Sequence, residues 1–73
     1  MEKWIDNMNE MFSNHCWTDN NRVAITYIEK DNAIVVRVLN AMRVISILEY
    51  SEYGLMMKIM NTVDELYYER ENN

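Results

Sequence analysis

Two β-branched runs, Arg22-Val23-Ala24-Ile25-Thr26-Tyr27-Ile28 and Ala33-Ile34-Val35-Val36-Arg37-Val38-Leu39, are separated only by the polar stretch Glu29-Lys30-Asp31-Asn32. This arrangement constrains the fold more than any other feature of the chain. Val, Ile and Tyr pack well on a pleated surface, whereas Asp and Asn bond to nearby backbone groups and favour turns. The pattern predicts a β-hairpin. Its register stays open, because no Asn-Gly or Gly-rich pair specifies the turn type.

A third apolar stretch, Arg43-Val44-Ile45-Ser46-Ile47-Leu48-Glu49-Tyr50, follows closely. The polar positions Asn40, Arg43, Ser46 and Glu49 recur every three residues, which would suit a helix. At roughly 100° per residue, however, they spread over half the circumference and leave no clean apolar face. A third strand is the better fit.

Helical periodicity is clear on either side of these strands. From Glu2 to Ser13, Trp4, Ile5, Met8, Met11 and Phe12 recur at i, i+3/i+4 and i+7/i+8, with Glu2, Lys3, Asp6, Asn9 and Glu10 on the polar side. Asn14 to Asn21 is then expected to be a connector. After Ser51, a candidate N-cap followed by Glu52, the residues Leu55, Met56, Ile59, Met60, Val63, Leu66 and Tyr67 make a wide stripe reaching about Arg70. The expected fold is α+β: helix, three-stranded antiparallel sheet, helix, in a two-layer sandwich with both helices on one sheet face. Trp4, Met8, Phe12, Ile25, Val36, Ile59, Val63 and Leu66 are expected to share one core.

That layout has a consequence for the opposite sheet face. If Val23, Ile25, Tyr27, Ile34, Val36, Val38, Ile45 and Ile47 meet the helices, the other face shows Ile28, Val35, Leu39, Val44 and Leu48 beside Arg37 and Arg43. So apolar a surface calls for a partner. Val35, Leu39 and Val44 are the candidate self-association residues.

The chain has 73 residues, one domain's worth, and a domain this small buries only about 60% of the surface its unfolded chain exposes. Cys16 is the only cysteine and His15 the only histidine, so neither an internal disulfide nor a four-ligand structural zinc site is expected. Association is the remaining stabiliser. Asp and Glu number 12 against 7 Lys and Arg, giving a net charge of −5 that repels nucleic acid and anionic lipid. Direct nucleic-acid binding is therefore disfavoured. Every apolar run is interrupted well before the roughly 20 residues a bilayer needs, and Met1-Glu2-Lys3-Trp4-Ile5-Asp6 scatters charges where a secretory segment is apolar. The expected location is the cytoplasm. Since 49% of residues are hydrophobic, the chain is expected to fold and not to remain an acidic disordered tail.

No catalytic, cofactor or metal site is expected. His15-Cys16 near Asp19 resembles a nucleophile pair, but neighbours in a loop rarely face each other and no glycine turn stands ready to hold an oxyanion. Cys16 as a small buried hydrophobe and His15 as a helix C-terminal residue explain them more simply. The paired carboxylates Asp64-Glu65 and Glu69-Glu71 sit among solvent-facing helix positions, and Gly54 is too isolated to cradle a phosphate. Most of the seven Met residues fall on the helix stripes, where packing accounts for them. Tyr68 beside Asp64, Glu65, Glu69 and Glu71 gives the second helix an acidic end that suits a basic protein surface. With Asp6 and Glu10 of the first helix, these are the candidate partner-binding residues.

In size, acidity, low Gly and Pro content and helix-sheet-helix layout, the chain resembles the small acidic inhibitors that phages and other mobile elements make against bacterial nucleic-acid enzymes, anti-CRISPR and anti-restriction proteins among them. The resemblance covers the whole chain and rests on no motif. It implies action in the host bacterial cytoplasm on a nucleic-acid-processing enzyme or ribonucleoprotein complex, with carboxylates occupying a basic nucleic-acid channel. Because Lys3, Lys30, Arg37, Arg43 and Lys58 interleave with the acids, a local contact is expected over whole-surface charge mimicry. Two functions follow from the sequence. One is a non-catalytic protein-binding inhibitor or regulator; the alternative is a small structural or assembly subunit that homodimerises through its sheet.

Overall fold

A computed structural model describes residues 1–13 and 23–71, with the backbone alone at Ser13, Arg70 and Glu71. The element order is α1 (Glu2–Ser13), β1 (Val23–Ile28), β2 (Ala33–Val38), β3 (Ala41–Ser46) and α2 (Glu52–Glu71), with single 3-10 turns at Glu29–Asp31 and Ile47–Glu49. The strands form one antiparallel sheet in the order β1-β2-β3, so β2 is central and β1 and β3 are its two edges. α1 packs on β1, and α2 on β2 and β3. The fold is thus helix, three-stranded antiparallel sheet, helix, as the sequence predicts. The connector at 14–21 lies outside the described residues.

The helical stripes bury the residues their spacing selects. Ile5, Met8 and Phe12 of α1 meet Ile25, Ile34, Val36, Val38 and Ile45 of the sheet and Leu55, Ile59, Val63 and Leu66 of α2 in one core, with Trp4 packed partly buried against it. Both helices therefore cover the same sheet face. Ser51 caps α2: its Oγ accepts from the Gly54 N–H at 3.1 Å, and its carbonyl accepts from the Leu55 N–H at 2.8 Å. Thr62 is buried on the stripe, where its hydroxyl donates to the Lys58 carbonyl one turn back at 2.6 Å.

Both hairpin turns depend on left-handed backbone. Between β1 and β2 the 3-10 turn closes on Asn32 at φ 47°, ψ 49°, a conformation Asn tolerates. Between β2 and β3 the connection is only Leu39-Asn40, with φ 54° at Leu39. A positive φ at the first turn residue alone is the type II′ pattern, in which glycine is usual. A leucine there is strained, at a cost on the order of 1–3 kcal/mol.

Several expectations are corrected. The third strand is Ala41–Ser46, not 43–50, because the tight turn begins pairing at Val38↔Ala41. Beyond Ser46, the Ile47 N–H still donates to the Asn32 carbonyl at 2.9 Å, but β2 has run out there and the chain turns into a 3-10 coil. Ile47 and Leu48 thus belong to that turn, Ile47 partly buried against the core and Leu48 79% exposed. Leu39 is a turn residue and β2 ends at Val38. Arg43 shares the helix-facing side with Ile45, since residues two apart on a strand point the same way. Asn9 is half-buried and bonded to the sheet, not part of the polar helix face.

Candidate functional site

Asn9 accounts for one end of the sheet. Its Nδ2 donates to the Ile25 carbonyl at 2.8 Å and to the Ile5 carbonyl at 3.2 Å, while its Oδ1 accepts from the Ile25 N–H at 2.8 Å. A side-chain amide thereby pairs with an edge residue as another strand would. Because both backbone groups of Ile25 are so engaged, they point away from β2, and antiparallel alternation gives Val23 and Tyr27 the same outward direction.

Beside this contact, Glu2, Ile5, Asp6, Asn9, Ile25, Thr26 and Tyr27 line a shallow groove of about 290 Å³. Glu2 and Asp6 form its helical bank, and Glu10 extends their row by another turn. These three exposed carboxylates recur every four residues, about 6 Å apart along the axis at 1.5 Å per residue. Among the described residues none of the three has an ion-pair partner.

The acids of α2 stand differently. Arg43 reaches Glu65 at 3.5 Å and Glu69 at 3.3 Å, with all three side chains about half exposed. Such a bridge contributes no more than about 1 kcal/mol, yet it partly neutralises the acidic end. Asp64 and Tyr68 are exposed on the same helix, and the Glu71 side chain lies outside the described residues. Asp6 and Glu10 therefore sit on the helix over β1, and Asp64, Glu65, Tyr68 and Glu69 on the helix over β2 and β3.

On the outer sheet face, half-buried Val35 pairs with Val44, which is 60% exposed, and Arg37 pairs with Met42, its Nη2 3.8 Å from the Met42 sulfur. Leu39 stands in the adjoining turn. Val35 and Val44 are thus cross-strand neighbours, and Leu39 is not part of their ladder. The Arg43 bridge had a signal in the sequence: a two-residue period that places Ile45 inward places Arg43 inward too. Asn9 had none, since its role depends on β1 being an edge strand.

His15, Cys16 and Asp19 lie outside the described residues. Among the described residues, no group of three or more His, Cys, Asp or Glu is placed to hold a metal ion, and no helix is long and apolar enough to cross a membrane. Compared with protein-family models, with curated proteins and with solved structures, the chain has no match.

Proposed function

We propose that the protein is a non-catalytic inhibitor or regulator that binds another protein, with the basic nucleic-acid-binding surface of a bacterial enzyme or ribonucleoprotein complex as its target, as anti-CRISPR proteins do. The observation that carries this reading is the row Glu2, Asp6, Glu10. Its carboxylates are exposed, regularly spaced and without ion-pair partners among the described residues, so their field is available to a cationic surface. Asp64, with Glu65 and Glu69 where Arg43 leaves them accessible, supplements the contact from α2. A row of three acids suits a local patch better than imitation of a whole duplex.

The α1 row also gives the cleaner test. Reversing Glu65 and Glu69 to Lys would set lysines against Arg43 and confuse lost binding with lost stability, whereas Glu2, Asp6 and Glu10 lie off the core stripe. The protein is titrated into cleavage reactions of CRISPR effector complexes and restriction enzymes at low and high salt. Inhibition of at least one is expected, weakening as salt rises. The triple variant Glu2→Lys, Asp6→Lys, Glu10→Lys should inhibit at least tenfold less, with an unchanged circular dichroism spectrum. Undiminished inhibition by the variant, or indifference to salt, would rule out the acidic row as the contact.

A further inference from the structure

We infer that β3 is a self-pairing edge, and that two copies of the chain join antiparallel through it into a continuous six-stranded sheet. The direction of its backbone groups comes first. The Ile47 N–H bonds back to Asn32, and the two-residue turn closes at Val38↔Ala41, so Ala41, Arg43, Ile45 and Ile47 turn their backbone groups toward β2. Met42, Val44 and Ser46 then turn theirs outward, and among the described residues nothing pairs with them. A strand with three evenly spaced outward residues is complementary to itself. A two-fold axis at Val44 sets Val44 against Val44 of the second copy and Met42 against Ser46 of the second copy, satisfying all three on each chain.

The side chains favour the same occupant. Of the usual defences of an edge strand, β3 has no Lys, Pro or bulge, and the charge it does carry is already bridged to Glu65 and Glu69. Its one charge, Arg43, turns toward α2. On the outer face, Met42 (55% exposed) and Val44 (60% exposed) would continue into the same residues of the second copy. On the helix side, the axis makes the two Arg43 residues diagonal neighbours about 7–8 Å apart. They lie there between two sets of Glu65 and Glu69, so two guanidiniums are shared among four carboxylates and attraction crosses the seam. Each strand contributes about 20 Å of edge, and on the order of 400 Å² per copy is buried, half the usual amount for a specific interface. The dimer is therefore weak and reversible. Because each chain carries −5, higher salt strengthens it, the opposite of a contact between acids and a basic target.

The test is sedimentation equilibrium of the intact chain from about 10 µM to about 1 mM, with cross-linking of a Val44→Cys, Cys16→Ser variant by a short bismaleimide. A hydrogen-bonded antiparallel pair holds its Cα atoms about 5.5 Å apart, within the reagent's reach. Expected are a monomer–dimer equilibrium that tightens with salt, rapid cross-linking at position 44, and none above background for Thr26→Cys, Cys16→Ser on the other edge. A mixture of Met42→Cys and Ser46→Cys chains, both in the Cys16→Ser background, should cross-link as a heterodimer and serves should the position 44 variant misfold. Val44→Lys should weaken association at least tenfold with unchanged circular dichroism. A chain that stays monomeric to about 1 mM, or links no faster at 44 than at 26, overturns the inference and leaves the edge to a strand from another protein.

Discussion

The two edges of this small sheet are finished in different ways. At β1, Asn9 of α1 engages both backbone groups of Ile25, so a neighbouring chain finds that site closed. At β3 the outward groups of Met42, Val44 and Ser46 have no such cover among the described residues, and exposed Met42 and Val44 flank them. An uncovered edge is a template for further strands, and because Asn9 occupies Ile25, the middle of the three outward residues of β1, a strand added there could not pair through the centre of that edge. The edges also separate two kinds of contact. The acidic row belongs to the side where Asn9 engages Ile25, whereas the apolar pair and the partly neutralised Arg43 cluster belong to the open one.

The largest expected effect removes the sheet that both edges share. Val36 is fully buried on the central strand, and Val36→Asp places an unpaired carboxylate there at a cost of several kcal/mol, comparable to the roughly 5 kcal/mol of a small domain. A thermal melt should show no cooperative transition. Asn9→Ala acts on the closed edge alone. It strips the Ile25 N–H and carbonyl of partners and should cost about 2 kcal/mol, read as a lowered denaturant midpoint, while concentration-dependent aggregation appears as the second edge opens.

Arg43→Ala removes an exposed bridge and should cost about 1 kcal/mol or less. It should also weaken self-association and reverse none of the α1 row's effects. Smallest of all, Val44→Lys on the open edge should change stability by no more than about 0.5 kcal/mol, since its side chain is mostly in water already. If Asn9→Ala and Val44→Lys were equally harmless, the two edges would not differ as described.

Both helices and the first hairpin were legible because each buries a regular subset of residues: period 3.6 for Ile5, Met8 and Phe12, period 2 for Ile25, Ile34 and Val36. The extent of β3 was not, because it is set by where its partner strand ends. β2 begins only at Ala33, the partner of Ser46, so Ile47 and Leu48 coil despite their strong preference for strands. Leu39 misled for a similar reason, as a β-favouring residue forced into a turn by register. The inward side of Arg43 was legible from the period that buries Ile45, but its partners Glu65 and Glu69 depend on which helix lies over β3, and the role of Asn9 depends on β1 being an edge, information that no local pattern contains. The acids of the candidate site were legible as residues. Which of them are already paired was legible only in three dimensions.

Amide hydrogen exchange followed residue by residue tests the contrast between the edges most directly. The Ile25 N–H, held by Asn9, should be protected at every protein concentration, whereas the Met42, Val44 and Ser46 amides should exchange rapidly in dilute solution and slow as concentration rises into the dimer range. An Ile25 amide as fast as that of Val44, or β3 edge amides whose exchange ignores concentration, would contradict that contrast.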